Sequence, residues 1–207
     1  MRRCPTPRAA RRALAHVWFC TGALEVFRGD HKTARPLLES SLEVAQESND
    51  VDLQIQCLRS LGFGAFDRGE PRRARELELR VLELRRSIND VLGIPATYTT
   101  PANIELYTGV LPQARAYYEQ SLAHARALGH TATFNNAFAL NGLGAVMRRM
   151  GEPALARQYN QEALEISRGI GHEWSVADCL WELGLLAADA GEFALAEKYL
   201  DEMLAIY

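Results

Sequence analysis

A turn glycine recurs along this chain at an almost constant interval. Consecutive members are 40, 40, 42 and 40 residues apart, and an alanine follows each of them five residues later. Self-similarity at a period of about 20 to 50 residues is typical of a chain that stacks one small structural unit many times. Five repeats are therefore predicted. Their glycines are Gly29, Gly69, Gly109, Gly151 and Gly191, and their alanines are Ala34, Ala74, Ala114, Ala156 and Ala196.

Each repeat is predicted to contain two helices. Seven residues before the turn glycine stands a small residue, and eleven before stands a large apolar one, so that a neighbouring helix can approach closely. Apolar residues eight and thirteen positions after the glycine mark one face of a second helix. Asn-Asp or Gly-His pairs then end that helix. Because no segment is rich in strand signals, we expect an all-α, right-handed α-solenoid of about five helix-turn-helix repeats and about ten helices.

The predicted domain organisation is a basic N-terminal arm followed by the solenoid. The arm covers residues 1–8, where disorder is an option, and the solenoid covers residues 9–207, with repeats at about 9–49, 50–89, 90–129, 130–171 and 172–207. Repeat three departs from the pattern, because Pro95 and Pro101 fall inside its first helix. An interior proline removes a backbone hydrogen bond and costs about 3 kcal/mol. We therefore expect a kink or a broken turn near Thr99 to Pro101.

The motif carried by these positions resembles the tetratricopeptide repeat. Its large-small pair is clearest at Leu61-Gly62, Leu143-Gly144 and Leu183-Gly184, and the likeness spans about residues 9–207. The resemblance implies a protein-binding or scaffolding module, since this motif is specific for fold and unspecific for function. The period exceeds the usual length of about 34 residues. Segments 34–42 and 123–130 look like the arrays of bacterial transcription regulators of the ATP-binding LuxR and AfsR kinds, which implies a role in signalling.

Composition and charge exclude several classes of protein. The chain is 48% apolar and 24% charged, which predicts a folded protein. No apolar run approaches the roughly 20 residues that cross a bilayer, and no secretion signal follows the first residues. A cytoplasmic protein without a membrane partner is expected. The net charge of −3 disfavours nucleic acid as a partner of this chain, and the arginines of repeat two alternate with glutamates, as on a solvated, charge-paired surface.

No catalytic site, metal site or cofactor is predicted. The five histidines and four cysteines lack metal-ligand spacing, and the chain contains neither a phosphate-binding glycine loop nor a nucleophile elbow. Enzyme activity would require distant residues to converge in space, which a single sequence leaves open. The expected function is binding.

Positions that vary among the repeats are where a partner would be recognised, because the constant positions serve packing. The resemblance implies that the first helices line a concave groove. Positions thirteen, ten, six, three and two before each turn glycine share one face of those helices. The predicted peptide-binding residues on that face are Arg59, Phe63, Phe66, Asn103, Tyr107, Asn141, Arg148, Arg149 and Trp181.

Three kinds of contact are expected from these residues. An asparagine amide both donates to and accepts from a peptide backbone, and the resemblance implies this role for Asn103. Arg148 and Arg149 are expected to pair with a carboxylate of the partner, and the aromatic side chains to take apolar anchors. The alternative for each aromatic residue is packing between neighbouring helices. The full set of lysines and asparagines that holds a C-terminal carboxylate in this family is not present.

The last predicted helix suggests a second function. Solenoids normally close with a polar helix, whereas this one carries Leu200, Met203, Leu204 and Tyr207. Some of that apolar surface is expected to be uncovered. Either the chain is a piece of a longer protein, or the helix meets a partner or a second copy, which makes a homodimer the alternative to peptide binding.

Overall fold

The computed structural model describes residues 7–129 and 133–206. Those two ranges contain ten α-helices and no strand, which confirms the predicted all-α repeat fold. The chain divides into two compact units, with the boundary between Asp90 and Val91. Residues 1–6 of the predicted arm, residues 130–132 and Tyr207 lie outside the described residues. The first helix begins at Pro7.

The first unit contains two helix pairs. The pairs α1/α2 and α3/α4 pack internally, and α3 also contacts both α1 and α2 of the preceding repeat. The first helices of the two repeats therefore lie side by side, as the repeat pattern predicts. The helices are α1 (Pro7–Phe27), α2 (His31–Glu47), α3 (Val51–Asp67) and α4 (Pro71–Ser87).

The second unit contains three helix pairs built in the same way. Each first helix contacts its own second helix and the first helix of the next repeat, so that α5, α7 and α9 form one layer. The helices α6 and α8 each also contact the first helix that follows them. The bounds are α5 (Ile94–Thr108), α6 (Leu111–Ala127), α7 (Phe134–Arg149), α8 (Pro153–Gly169), α9 (Glu173–Asp189) and α10 (Phe193–Leu204).

The turns between helices use the left-handed backbone conformation that the glycine spacing predicts. All five turn glycines have positive φ, from 73° to 85°. At the junctions between repeats, Asn49 and Asn89 take φ values of 53° and 55°, which asparagine tolerates better than most residues. Because glycine pays no Cβ penalty there, each helix ends at the same place in its repeat.

The five alanines of the repeat are buried where helices meet. Ala34, Ala74, Ala114, Ala156 and Ala196 are exposed by 6% or less. A small side chain at these positions allows two helix backbones to approach closely, and a larger one would separate them. The predicted packing role of the alanines is confirmed.

Of the kink or broken turn expected in the first helix of repeat three, the broken turn does not occur, because the helix is continuous through Pro101. Helix α5 begins at Ile94, so Pro95 lies in its first turn, where no helical hydrogen bond is lost. Pro101 is inside the helix, which nevertheless continues to Thr108. Pro101 and its neighbours Tyr98 and Ala102 are all buried, and this packing offsets the one backbone bond that the proline removes.

One position of the second helix, buried in repeats one to four and partly buried in repeat five, varies in chemistry from repeat to repeat. We call it the inner slot; it is the ninth residue after each turn glycine, and it faces a small residue of a first helix. In the first, second, fourth and fifth repeats that small residue is Gly22, Gly62, Gly144 and Gly184, and in the third repeat the slot side chain lies against Gly142 of the next helix. The five slot residues are Leu38, Glu78, Tyr118, Asn160 and Leu200.

Candidate functional site

The nine predicted binding residues lie on the first helices of both units. Arg59, Phe63 and Phe66 belong to α3 in the first unit. The other six belong to α5, α7 and α9 in the second unit. Each unit therefore presents its own group of candidate residues.

The group in the first unit is aromatic. Phe63 is 52% exposed, and its ring lies 6.2 Å from that of Phe27, which is 83% exposed. Phe66 is partly buried and Arg59 is exposed. Aromatic rings that remain in solvent are the side chains that most often anchor a protein partner. The pair of Phe27 and Phe63 is thus the apolar centre of this face.

A buried carboxylate lies behind the aromatic face. The inner-slot residue Glu78 is 3% exposed, and its Oε2 atom has no hydrogen-bond partner among the described residues. Burial raises the pKa of Glu78 to about 7, and the positive charges of Arg59 and Arg85 oppose that increase. The predicted face residue Arg59 therefore also acts electrostatically on the core of its own repeat.

In the second unit, a core tyrosine orients the first of the two asparagines. The hydroxyl of the inner-slot residue Tyr118 donates to Oδ1 of Asn103 in a short hydrogen bond. Tyr118 is fully buried, and this burial, with the negative charge of Glu182, raises the pKa of its hydroxyl, so the group stays a donor. Because the carbonyl oxygen of Asn103 is engaged, its amide N–H groups are what it offers to other acceptors.

The second asparagine has an unused acceptor. Asn141 is partly buried, and its Oδ1 atom is enclosed without a hydrogen-bond partner in the described part of the chain. A buried polar atom in this state costs about 1–3 kcal/mol. Because the atom is enclosed, a backbone N–H from a bound peptide would satisfy it only after the side chain rotates towards the surface.

The two arginines make contacts that the repeat pattern does not reveal. Arg148 pairs with Glu182 at 3.3 Å and with Asp189 at 3.1 Å, both on the neighbouring helix α9. Arg149 donates from Nη1 to the backbone oxygen of Leu106 at the end of α5. Burial raises the pKa of Glu182, and Arg148 opposes the increase. The arginines thus hold adjacent first helices together as well as presenting positive charge.

Two tryptophans extend the face of the second unit. Trp181, a predicted binding residue, is 47% exposed. Trp174 is 68% exposed and precedes it by two helical turns, so both lie on the same side of α9. Sequence analysis missed Trp174, although its spacing of seven residues from Trp181 is the signal that identifies it. Tyr107 on α5 is 79% exposed, more than Phe63 or Trp181.

The described ranges contain neither a cluster of metal-binding side chains nor a helix suited to a membrane. No group of three or more histidine, cysteine, aspartate or glutamate side chains there is arranged to hold a metal ion. None of the described helices is both long enough and apolar enough to cross a bilayer.

A sequence model of the tetratricopeptide repeat matches residues 13–87, 94–168 and 135–207. The chain belongs to the tetratricopeptide repeat family. The matches include the large-small pairs and the alanines from which the resemblance was predicted, and they extend over most of the sequence. No curated protein sequence matches the chain.

Solved structures share the tetratricopeptide fold at low sequence identity. BtubC from P. vanneervenii is 21% identical, with 95% of this chain and 80% of that chain covered and a TM-score of 0.79. A STAND signal-transduction ATPase with a tetratricopeptide repeat sensor from Pyrococcus horikoshii is 18% identical, with a TM-score of 0.80. That match covers 95% of this chain and 30% of the ATPase. The apo form of RapI is 13% identical, with 94% and 83% covered and a TM-score of 0.73.

These likenesses establish the tetratricopeptide fold and no finer property. At such identities, side chains on the first helices are free to differ between proteins, and a shared fold does not transfer a partner. The predicted likeness to the arrays of LuxR and AfsR regulators stays a prediction.

Proposed function

We propose that the first helices of the second unit bind a peptide or a protein segment. The observation that carries the proposal is the amide of Asn103, oriented by Tyr118 on the same helix layer as Asn141, whose enclosed Oδ1 atom lacks a partner among the described residues. Asn103 offers donors, and Asn141 offers an acceptor once its side chain rotates; these are the two groups that a peptide backbone requires. Binding of this kind is the usual role of tetratricopeptide arrays.

Exposed rings supply the apolar part of the proposed contact. Tyr107 and Trp181 project from α5 and α9, at 79% and 47% exposure. Tyrosine and tryptophan bury a large area with little loss of side-chain freedom, and they dominate the energetics of many interfaces. A partner with apolar side chains flanking an extended backbone fits this arrangement.

Arg148 and Arg149 favour an acidic partner in this proposal. Arg148 already has two carboxylate partners, one of which, Asp189, is 60% exposed at its side chain. A carboxylate of the bound segment replaces Asp189 at little cost, because an exposed ion pair contributes only about 0–1 kcal/mol. Arg149 remains exposed while it holds the end of α5.

A peptide library selected on the whole chain tests the proposal. Each selected peptide is measured against Asn103→Ala and Asn141→Ala, with Gln161→Ala, an exposed amide on the second helix α8, as the control. We expect at least tenfold weaker binding for the first two variants and unchanged binding for the control. Peptides whose affinity ignores both asparagines would exclude this face as the site.

A second candidate function is self-association through α10, supported by one comparison among repeats. Leu204 is 62% exposed, whereas its counterparts thirteen residues after the other turn glycines are 9% exposed or less. Of the other predicted residues, Leu200 and Met203 are partly buried, and Tyr207 lies outside the described residues. Light scattering of the wild type, Leu204→Glu and the control Leu155→Glu decides between monomer and oligomer. A monomer in all three leaves this candidate without support.

A regulatory role is a more specific version of the proposal that the first helices bind a peptide or a protein segment. It is supported by the fold likeness to the STAND ATPase, whose own repeats are described as a sensor. In this form the array, in the cytoplasm, couples a bound partner to a bacterial transcription regulator. An ATPase or DNA-binding domain encoded in the same gene would support it, and a gene without either would favour a separate adaptor.

A further inference from the structure

A second surface feature lies in the first unit, on the other helices of its repeats. A groove of about 320 Å³ runs between the second helices α2 and α4, with α3 beneath it. Four apolar side chains form its floor, among them Leu61 and Leu77. The volume falls at the lower end of the range for ligand sites. None of the predicted peptide-binding residues lines this groove.

Positive charge exceeds negative charge along the groove. Four arginines line it against two glutamates. Arg68 holds Glu70 through two hydrogen bonds of 2.9 and 3.1 Å, and Arg35 holds Glu39 at 2.8 Å. The charge-paired surface predicted from the sequence concerned the arginines of the second helix of repeat two, which include Arg73 and Arg80.

Arg80 departs from that prediction. It is exposed in the groove, and no carboxylate of the described residues pairs with it. Arg73 lies two helical turns earlier on the same side of α4, about 10 Å away along the helix axis. Arg73 pairs with Glu76 at 3.2 Å, an exposed contact that a stronger acceptor displaces easily.

The spacing of Arg73 and Arg80 matches a simple peptide pattern. A chain in the polyproline II conformation advances about 3.1 Å per residue with three residues per turn, so carboxylates three positions apart lie on one side, about 9 Å from each other. A side chain between those carboxylates points to another side of the chain, where it can meet the apolar floor. We propose that this groove binds an acidic peptide segment in which an apolar residue lies between two carboxylates.

Charge complementarity identifies the occupant as acidic, and the shape of the groove identifies it as a segment of chain. Guanidinium groups bind carboxylates through paired hydrogen bonds. The contact therefore depends on the relative orientation of the two groups as well as on their opposite charges. The charges are distributed along two helices and not gathered at one point, so a single small anion would meet only part of them. The apolar floor adds the contribution of a buried side chain.

Fluorescence anisotropy with a defined probe tests the proposal. The probe is a dye-labelled peptide containing Glu-Leu-Ala-Glu, and its two controls replace the leucine with serine or both glutamates with lysines. We expect saturable binding of the probe to the wild-type chain, at least fivefold weaker binding of the serine peptide, and no binding of the lysine peptide.

Variants of the chain then locate the site. Arg80→Glu and Arg35→Glu are each expected to weaken binding of the probe at least tenfold. The matched control is Arg115→Glu, because Arg115 holds the same place in its repeat as Arg35 and pairs with Glu119 at 2.7 Å, as Arg35 does with Glu39. The control should bind the probe as the wild type does. Thermal unfolding by circular dichroism verifies that all three variants are folded.

Several outcomes would overturn the proposal. One is equal affinity of Arg80→Glu, Arg35→Glu and the wild type; another is an equal loss in Arg115→Glu, which would indicate general charge attraction. A serine peptide that binds as tightly as the probe would remove the apolar floor from the site. A single-stranded oligonucleotide that binds more tightly than the probe and depends on Arg80 would assign the groove to nucleic acid instead. If a variant unfolds, the affinities of the probe and the two control peptides for the wild-type chain still test the proposal.

Discussion

The two units use the same buried position in opposite ways. In the first unit the inner slot of repeat two holds Glu78, and in the second unit the inner slot of repeat three holds Tyr118. Both residues are almost completely buried. The tyrosine hydroxyl reaches Asn103 on the first-helix layer, whereas one carboxylate oxygen of Glu78 stays without a partner. Of these two slot residues, only Tyr118 therefore fixes a side chain of the first helices through a hydrogen bond.

The contrast between Glu78 and Tyr118 also shows that a slot residue can affect the stability of its repeat without orienting a candidate binding residue. Glu78 raises the free energy of the folded state through desolvation, and it interacts with the face of its unit only through the charge of Arg59. Tyr118 keeps the amide of Asn103 in one orientation, which prepares that side chain for a peptide at no further entropic cost. We expect substitutions around the two slots to differ accordingly.

The largest difference is expected when a methyl group is added to the glycine in front of each slot. In the second unit, the Cβ of Gly142→Ala would overlap the ring of Tyr118, which is fully buried in the core. Overpacking of this kind costs about 3 kcal/mol of folding free energy. Urea denaturation followed by circular dichroism measures the loss.

The matched substitution in the first unit is Gly62→Ala. Its Cβ would lie 3.3 Å from Oε1 of Glu78, the far end of a flexible side chain. Alanine is also the better helix former by about 1 kcal/mol. We expect a stability between that of the wild type and about 1 kcal/mol above it. Equal losses in Gly62→Ala and Gly142→Ala would contradict the contrast between the two slots.

The next largest effect is expected from Glu78→Gln, and it depends on pH. The folded-state pKa of Glu78 is raised to about 7 from an ordinary value of 4.5. Below pH 4.5 the carboxyl is protonated in both folded and unfolded chains, and it has no pH-dependent cost. As pH rises towards 7 the unfolded chain ionises first, so the wild type loses stability, and the loss is complete above pH 7.

The glutamine variant should avoid that loss. At pH 8 we expect Glu78→Gln to be more stable than the wild type by about 3 kcal/mol, since one pKa unit corresponds to about 1.4 kcal/mol. At pH 4 the two should be nearly equal. Urea denaturation at a series of pH values measures the difference, with the exposed Glu76→Gln as a control that should follow the wild type. Parallel curves for Glu78→Gln and the wild type would rule out a carboxyl with a raised pKa.

The repeat frame could be predicted from the sequence because its chemistry is constant. Glycine with positive φ at Gly29 and its four counterparts, and alanine at each helix seam, keep one residue type for one physical reason. The same regularity placed the predicted binding residues on the first helices. Arithmetic on the sequence was therefore sufficient for the architecture.

The inner slot could not be predicted, because its five residues share a location and no chemical property. Leucine, glutamate, tyrosine, asparagine and leucine follow one another there, so no pattern marks the position. The pairing of Arg148 with Glu182 was missed for a related reason. The two residues are 34 positions apart, and only the stacking of α7 on α9 makes them neighbours. Pro101 shows the limit of local rules, since tertiary packing overrides the predicted break.

A smaller effect is expected when only the hydroxyl of the tyrosine slot is removed. Tyr118→Phe keeps the ring in the core but loses the hydrogen bond to Asn103, which should cost about 1 kcal/mol. The matched control is Tyr117→Phe, one residue earlier and only partly buried, which should change stability by less than about 0.5 kcal/mol. A double-mutant cycle with Asn103→Ala measures the coupling. Additive losses in that cycle would show that the two side chains act independently.

The smallest effect is expected at the aromatic face of the first unit, which has no buried tyrosine behind it. The rings of Phe27 and Phe63 lie 6.2 Å apart and are both largely exposed, so their contact should contribute about 0.5 kcal/mol. Phe27→Ala, Phe63→Ala and the double variant, compared by urea denaturation, measure this coupling. Phe193→Ala on α10, with 72% exposure, should change stability by a few tenths of that amount at most. A coupling above about 2 kcal/mol would mean that this face is part of the core and that its rings are unavailable to a partner.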